Sequence, residues 1–154
     1  MQPVKGMTLE ETEEMLAFAQ DLIRIRSFSG AEGEIIRFIA EKMSALGYDE
    51  VRMDAMGNLV GRIGHGTPVL LFDAHVDTVT AEDEAQWQIA PFSGAIMDGM
   101  LHGRGAVDMK AGAAAAIFAV AAAKRLGYVQ DKSILVSCSV LEEYCNGENL
   151  KHCF

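Results

Sequence analysis

A chain of 154 residues, half of them hydrophobic, is long enough to form one domain with a buried core. Its formal net charge of -9 and pI of about 4.8 exclude nucleic acid as the main partner, because neutralising phosphates requires a Lys and Arg surface. The acidic N-terminus lacks the apolar segment of a secretory signal, and the apolar tract 111–123 is shorter than the roughly 20 residues that span a bilayer. We therefore expect a cytoplasmic protein with no membrane partner.

Two helices are predicted before residue 48. Thr8 and Glu11 form a capping-box pattern, which predicts a helix that the segment RSFSG ends. Ser29 and Glu32 repeat the pattern and predict the start of a second helix, with Gly47 at its C-terminal cap. Apolar residues at helical spacing mark the buried faces of these two helices: Met15, Leu16, Ala19, Leu22 and Ile23, then Ile35, Ile36, Ile39, Met43 and Leu46.

Strands and one further helix are predicted in the rest of the chain. The segments YDEVRMD and NLVGRI, then PVLLFDA, predict a meander that feeds a central, buried strand. The segment SGAIMDGMLHG predicts a hairpin that turns at Asp98-Gly99, residues 109–126 an Ala-rich helix, and KSILVSCSVL another buried strand. Helices interleaved with apolar strands indicate an α/β domain, with a mixed, mostly parallel sheet flanked by helices.

The three cysteines, Cys138, Cys145 and Cys153, are odd in number and accompany no export signal. This pattern predicts free thiols in a reducing compartment. Cys145 and Cys153 lack the close-paired spacing of a zinc knuckle, so we interpret all three cysteines as ordinary small residues and assign none of them to a metal.

Three ionisable residues follow the apolar run 69–72 within five positions: Asp73, His75 and Asp77. Such groups are usually tolerated at the end of a buried strand because they pair or hold a metal, since an unpaired buried charge is costly. The spacing of His75 and Asp77 places both side chains on one face of a strand. A carboxylate that binds the far nitrogen of a metal-bound imidazole fixes its tautomer. A plain surface pair is the alternative, and Asp73 receives no assignment.

Two more acidic clusters follow predicted structural elements. Asp108 lies in the glycine-rich segment LHGRGAVDMKAG, where the alternative role is to cap the following helix. Glu142 and Glu143 directly follow the last strand, so one carboxylate could bind a metal while the other faces a substrate; a solvated strand end is the alternative. Open α/β sheets bind their ligands at the carboxyl ends of strands. The three clusters together therefore favour one site.

The segments LLFDAHVDTV, WQIAPFSGAIMDGMLHGRGAVDMKAG and SCSVLEEYCNGEN resemble the N-terminal catalytic half of the zinc aminoacylase and carboxypeptidase family. Acetylornithine deacetylase, succinyl-diaminopimelate desuccinylase and carboxypeptidase G belong to this family of dinuclear metallohydrolases. The order of the motifs, their spacing and the surrounding glycines agree over residues 8–154. The resemblance also implies the fold, an incomplete catalytic domain of the zinc-peptidase type.

The resemblance implies a role for each of five residues. His75 binds one metal, and Asp77 orients His75. Asp108 bridges two metals, and a cis peptide bond follows it. Glu142 is the general base that acts on a water activated by the metals, and Glu143 binds the second metal. The resemblance thus implies two divalent cations, zinc first, with cobalt or manganese as alternatives.

The implied activity is hydrolysis of an amide bond in a small N-acyl amino acid or a short peptide, by a deacylase or by a dipeptidase or carboxypeptidase. Family members are longer than this chain, and they carry further metal ligands and a lid domain that usually forms a homodimer. We therefore expect residues 1–154 to be the N-terminal part of a catalytic domain, without the lid and the C-terminal part, and to be inactive alone. The alternative is a truncated, non-catalytic α/β remnant or an assembly module.

Overall fold

The structure, a computed structural model, describes residue 3 and residues 5–152. Within this part of the chain, four α-helices and six strands form the secondary structure. In chain order they are α1 (Leu9–Arg24), α2 (Gly33–Ala45), β1 (Glu50–Met53), β2 (Leu59–Ile63), β3 (Val69–His75), β4 (Ile96–Met97), β5 (Met100–Leu101), α3 (Ala111–Arg125), β6 (Ser133–Ser139) and α4 (Glu142–Cys145). Short 3-10 turns lie at Glu84–Gln86 and Glu148–His152, and a π-type turn, Ala106–Lys110, leads into α3.

Four strands form a mixed sheet in the order β1-β2-β6-β3. The pairs β1–β2 and β2–β6 are antiparallel, whereas β3 and β6 run parallel and are connected through α3. The short strands β4 and β5 form the predicted hairpin, and Asp98 and Gly99 both have positive φ, as a two-residue turn of this type requires. The predicted α/β class, with a mixed sheet flanked by helices, is confirmed. The prediction that the sheet is mostly parallel is wrong for the described strands, because two of its three strand pairs are antiparallel. Apolar patterns along a strand do not reveal the direction of its neighbours.

The prediction that β3 is a central, buried strand fed by a meander is wrong for the described chain. β6 lies between β2 and β3, so β3 pairs with β6 alone among the described strands and lies at the sheet edge. Its first four side chains remain 38–56% exposed. The apolar run 69–72 correctly indicated a strand, but hydrophobicity does not reveal which neighbouring strand or helix covers it.

The apolar faces of α1, α2 and α3 lie in one core together with residues of β2 and β6. Gly61 of β2 shows the closeness of this packing, because a Cβ there would lie 2.6 Å from Met43 Sδ in α2 and 2.7 Å from the Tyr48 ring. In α3, Ile117 and Phe118 are buried in the same core, while Lys124 and Arg125 lie in the last turn, as predicted. The core thus includes α3, which follows Asp108, and β6, which precedes Glu142 and Glu143.

One helical stretch, Ala106–Arg125, is long and apolar enough to cross a membrane when length and composition alone are considered. The core helix of a globular domain passes the same test, and Ile117 and Phe118 on this stretch are buried inside the domain.

Cys138 is buried and Cys145 is partly buried, both as free thiols, as predicted. The prediction for Cys153 falls outside the described residues.

The two capping predictions have different outcomes. Thr8 forms a complete capping box with Glu11 at the start of α1, as predicted. Glu32, rather than Ser29, is the N-cap residue of α2, and no side chain caps that helix. The Ser29 hydroxyl instead donates to the Asp77 carboxylate at 2.7 Å. The prediction for Ser29 is wrong because a distant part of the chain binds its hydroxyl.

We expect Thr8→Ala to lower the free energy of unfolding by about 1 kcal/mol, because it removes the acceptor for the Glu11 N–H. Urea unfolding measures this change. Thr80→Ala is the matched control, since Thr80 is exposed in a loop, and we expect it to change stability by less than about 0.5 kcal/mol. Equal effects of the two substitutions would contradict a stabilising role for the cap.

Candidate metal centre

Three predicted ligands come together at the carboxyl ends of β3 and β6. His75 is the last residue of β3, Glu143 lies in the α4 turn after β6, and Asp108 lies in the turn before α3. One potential ligand atom from each of them lies within 4.8 Å of the other two. His75 Nε2 is 2.8 Å from Asp108 Oδ1. The prediction that these three side chains converge is confirmed.

The backbone around Asp108 is irregular, and it presents the carboxylate to solvent. The peptide bond between Asp108 and Met109 is cis, as the resemblance implied. The Asp108 side chain is 74% exposed, and its contact is His75 rather than the backbone of α3. The alternative that Asp108 caps α3 is therefore wrong, since Lys110 occupies the N-cap position without a side-chain bond.

Asp77 is fully buried and connects the histidine to the turn that carries the two glutamates. Its Oδ1 accepts the Glu142 N–H at 3.1 Å, and its Oδ2 accepts the Glu143 N–H at 3.2 Å and the Ser29 hydroxyl at 2.7 Å. His75 Nδ1 lies 3.1 Å from the Asp77 carbonyl oxygen and 3.5 Å from its Oδ1. Backbone and side chain of Asp77 together therefore fix the ring orientation that points Nε2 to Asp108.

The contacts between His75 and Asp77 shift the pKa values of both side chains. Hydrogen bonding to Asp77 raises the pKa of the His75 imidazole to about 9; burial opposes the rise, and Asp108 adds to it. Burial acts to raise the pKa of the Asp77 carboxyl, but hydrogen bonds from His75, Ser29 and two backbone N–H groups of the α4 turn outweigh it and lower this pKa to about 2. Asp77 is thus an anion at neutral pH, and a cation at Nε2 would replace the His75 proton.

The two glutamates of the α4 turn have different positions. Glu143 contributes a ligand atom to the cluster, whereas the Glu142 carboxylate lies 4.0 Å from His75 Nε2 at the rim. Leu141, directly before them, adopts the left-handed conformation, with φ of 60°. The turn therefore sends one carboxylate into the cluster and leaves the other beside it.

Lys110 is a residue near the site that the sequence patterns did not single out. It is completely buried, and its Nζ donates to the carbonyl oxygens of Leu22 and Ile25 at 2.9 and 2.8 Å. Burial lowers the pKa of Lys110 to about 8. These hydrogen bonds connect the turn that carries Asp108 with the end of α1. The residues that they join are more than 80 positions apart in sequence, so no local sequence pattern indicates the contact.

Asp73, which had no assigned role, accepts a hydrogen bond from the Ser137 hydroxyl of β6.

A cavity of about 380 Å³ opens beside the cluster, and Val79, Arg104 and Val107 line it together with Asp108 and Glu143. A cavity of about 420 Å³ lies elsewhere, behind α2, and none of the three clustered side chains lines it. We therefore assign the ligand chemistry to the smaller cavity, which contains the two carboxylates.

The donor set fits a divalent cation. One imidazole nitrogen and two carboxylates are the ligands that zinc, manganese and related metals bind in proteins. Among residues 5–152, this is the one group of three such side chains with ligand atoms so close together. Fold and site together define an α/β domain with a candidate metal centre at the carboxyl edge of its sheet.

The sequence profile of Peptidase family M20/M25/M40 matches residues 71–152, which include every residue of this cluster. The chain belongs to this family. It is 37% identical over 134 residues to the uncharacterized protein YgeY of Escherichia coli (strain K12), covering 87% of this chain and 33% of YgeY. It is 43% identical over 114 residues to the succinyl-diaminopimelate desuccinylase of Xanthobacter autotrophicus, covering 70% and 30% of the two chains. The chain spans about a third of the length of these curated relatives.

Solved structures of the same family share the fold. An M20 family metallo-carboxypeptidase from Sulfolobus solfataricus superposes with a TM-score of 0.79 at 21% identity, over 90% of this chain and 33% of that chain. YXEP of Bacillus subtilis, described as a dinuclear metal binding peptidase of the M20 family, superposes with a TM-score of 0.65 at 17% identity, over 89% and 37% of the two chains. These likenesses confirm the catalytic-domain fold that the sequence resemblance implied.

Proposed function

We propose that this chain is the N-terminal part of the catalytic domain of a metal-dependent hydrolase that cleaves an amide bond in an N-acyl amino acid or a short peptide. The observation that carries the proposal is the convergence of His75, Asp108 and Glu143 beside a third acidic residue, Glu142. Membership of the M20 family supports the reaction class, and a desuccinylase and a carboxypeptidase among the similar proteins support the two substrate classes.

The three converging side chains would hold two divalent cations, with Asp108 shared between them. We assign His75 to one cation and Glu143 to the other, and zinc is the first choice, with cobalt or manganese as alternatives. When bound, such cations lower the pKa of water and polarise the carbonyl group of a substrate. Asp77 keeps His75 oriented, because its carboxylate and its backbone oxygen both lie beside Nδ1.

Glu142 is the proposed general base. Its carboxylate lies near the cluster without belonging to it, and its side chain remains 35% exposed, so it can reach a water molecule or a substrate. It would accept a proton from the attacking water and pass this proton to the nitrogen that leaves. The Asp77 contact to the Glu142 N–H holds the backbone of this residue in place during both transfers.

The proposed reaction needs more than the three side chains that converge in this chain. The curated relatives of the chain are about three times as long, and two cations need more ligands than the three side chains found together here. We propose that the remaining ligands and a lid domain belong to further sequence, that the complete form is a cytoplasmic homodimer through that domain, and that residues 1–154 alone do not turn over substrate.

Zinc binding by residues 1–154 tests the proposed ligands without requiring activity. We expect weak binding that a chelator reverses, and we expect His75→Ala to weaken it by more than the roughly 10–100-fold that follows loss of an outer partner. Equilibrium dialysis measures the affinity. His65→Ala is the matched control, since His65 lies exposed in a turn.

Assays on N-acyl amino acids and dipeptides complete this test. We expect no metal-dependent hydrolysis by residues 1–154 and clear hydrolysis by a form extended to the length of the relatives. Hydrolysis by residues 1–154 that His75→Ala abolishes would contradict the proposed need for further ligands. Zinc binding equal in wild type and His75→Ala would favour the alternative, a non-catalytic α/β remnant or assembly module.

A further inference from the structure

The loop 29–32 contacts both Asp77 and the turn that carries Glu142 and Glu143, through Ser29 and Glu32. We propose that Ser29 and Glu32 are positioning residues, which act with Asp77 to hold the turn that carries Glu142 and Glu143. The inference rests on the proposed function where it assigns catalytic work to these two glutamates. The positioning itself is a property of the fold, and it can be measured separately.

Two buried carboxylates bind three consecutive backbone N–H groups of the turn. Glu32 Oε1 accepts the N–H of Leu141 at 3.0 Å. Asp77 then accepts the N–H groups of Glu142 and Glu143 at 3.1 and 3.2 Å. Because every backbone donor from 141 to 143 is bound by a fixed acceptor, the direction in which each of the two glutamate side chains leaves the backbone is set by these two carboxylates.

Leu141 shows why such support is needed. Its φ of 60° and ψ of 20° lie in the left-handed region, where a side chain with a Cβ is strained. Such a conformation persists only where its surroundings enforce it. The Leu141 N–H donates to Glu32, and the Leu141 carbonyl oxygen accepts the N–H of Cys145 at 3.0 Å, so both sides of the strained residue are bound. α4 begins directly after Leu141, and the left-handed conformation of Leu141 changes the chain direction so that Glu142 lies beside the site.

The loop itself is fixed at both ends. Glu32 Oε1 also accepts the Gly30 N–H at 3.0 Å, and the Ser29 hydroxyl donates to Asp77 at 2.7 Å. The loop therefore contacts both carboxylates that bind the turn, Asp77 through Ser29 and Glu32 through the next residue, Gly30. Residue 28 pairs with Thr78 in an isolated parallel bridge, which anchors the loop beside the end of β3.

The burial of Glu32 also points to this role. Glu32 is only 6% exposed, and it forms no ion pair with any residue in the described part of the chain. A buried carboxylate is unfavourable unless it is well hydrogen-bonded. Both of its identified partners are backbone N–H groups, one in its own loop and one in the turn before Glu142. A merely solvated helix end would leave this side chain in water.

Amide hydrogen exchange tests the positioning in the protein as it stands. We expect the Leu141 amide to be protected in the wild type and to exchange at least about tenfold faster in Glu32→Ala, because its acceptor is lost. Glu34→Ala is the matched control, since Glu34 lies exposed in the first turn of α2, and it should leave this rate unchanged. Equal protection of Leu141 in Glu32→Ala and wild type would overturn the proposal.

Catalysis in the extended, metal-loaded form provides the second readout. We expect Glu32→Ala to lower kcat by about 10–100-fold with a smaller change in KM, and to alter the visible absorption of the cobalt-substituted protein. Ser29→Ala should act in the same direction, and Ser29→Thr, which keeps the hydroxyl, should restore most of the activity. Adding Leu141→Gly to Glu32→Ala should recover part of the loss, because glycine needs no support at positive φ.

These outcomes separate the two proposals. If the wild type binds no metal while the Leu141 amide still exchanges faster in Glu32→Ala, the proposed function is refuted and the positioning role stands. An unchanged kcat and cobalt spectrum in Glu32→Ala, in an otherwise active enzyme, would overturn the positioning and keep the function. Thermal unfolding of each variant checks that a loss of activity does not come from a loss of the fold.

Discussion

Glu142→Gln is expected to lower turnover by about 10²–10⁴-fold while the metal content stays nearly unchanged, because the amide cannot accept the proton that a general base takes. Glu143→Gln is expected to lower metal occupancy as well as turnover, because this side chain supplies one of the three converging ligand atoms. Two adjacent carboxylates would then have different chemical roles. Their different positions, one within the cluster and one 4.0 Å from His75 Nε2, are the structural basis of this expectation.

Metal content by elemental analysis and kcat on an N-acyl amino acid substrate, both in the extended form, measure the two effects. Glu148→Gln is the matched control, since Glu148 is exposed and pairs with a lysine on the surface. Equal metal loss in Glu142→Gln and Glu143→Gln would show that the assignment of base and ligand is wrong. Full turnover by Glu142→Gln would remove Glu142 from the proposed reaction.

Asp77→Ala is expected to be the most destabilising single substitution in the site. It would leave the Glu142 and Glu143 N–H groups and the Ser29 hydroxyl without their acceptor, and it would remove the main cause of the raised pKa of His75. Breaking a buried charge pair in this way costs about 3–5 kcal/mol of stability. We also expect zinc binding to weaken, since the orientation of His75 depends on Asp77.

Urea unfolding in the presence of a chelator isolates this loss from any effect of metal. Asp131→Ala is the matched control, because Asp131 is exposed, and it should change stability by less than about 0.5 kcal/mol. A destabilisation by Asp77→Ala below about 1 kcal/mol, within the value of one ordinary hydrogen bond, would contradict the view that Asp77 connects the histidine to the glutamate turn.

Local sequence rules predicted the elements that depend on local interactions. The capping box at Thr8, the hairpin at Asp98-Gly99 and the helix α3 all follow from residues close in sequence, and the structure contains each of them. The position of β3 could not be predicted in the same way, because strand order depends on pairing between distant segments. An apolar run is compatible with the sheet centre and with an edge that another part of a protein covers.

In the site, too, features that depend on local residues could be predicted, and features that depend on distant contacts could not. Motif spacing and family resemblance identified His75, Asp108 and Glu143, and the structure brings these three together. The pattern at residues 29–32 was recognised but wrongly assigned to a helix cap, because Glu32 binds a backbone N–H group 109 residues away. No helix-start rule includes such a contact. Lys110 gave no signal at all, since a lysine is ordinarily expected at the surface.

Anomalous diffraction from crystals of the zinc-loaded protein, collected at the zinc absorption edge, tests the metal centre most directly. We expect anomalous peaks for two zinc ions at this centre, one bound by His75 Nε2 and the other by Glu143, with Asp108 binding both. Zinc bound only at other side chains, with no peak among these three residues, would contradict the proposed centre.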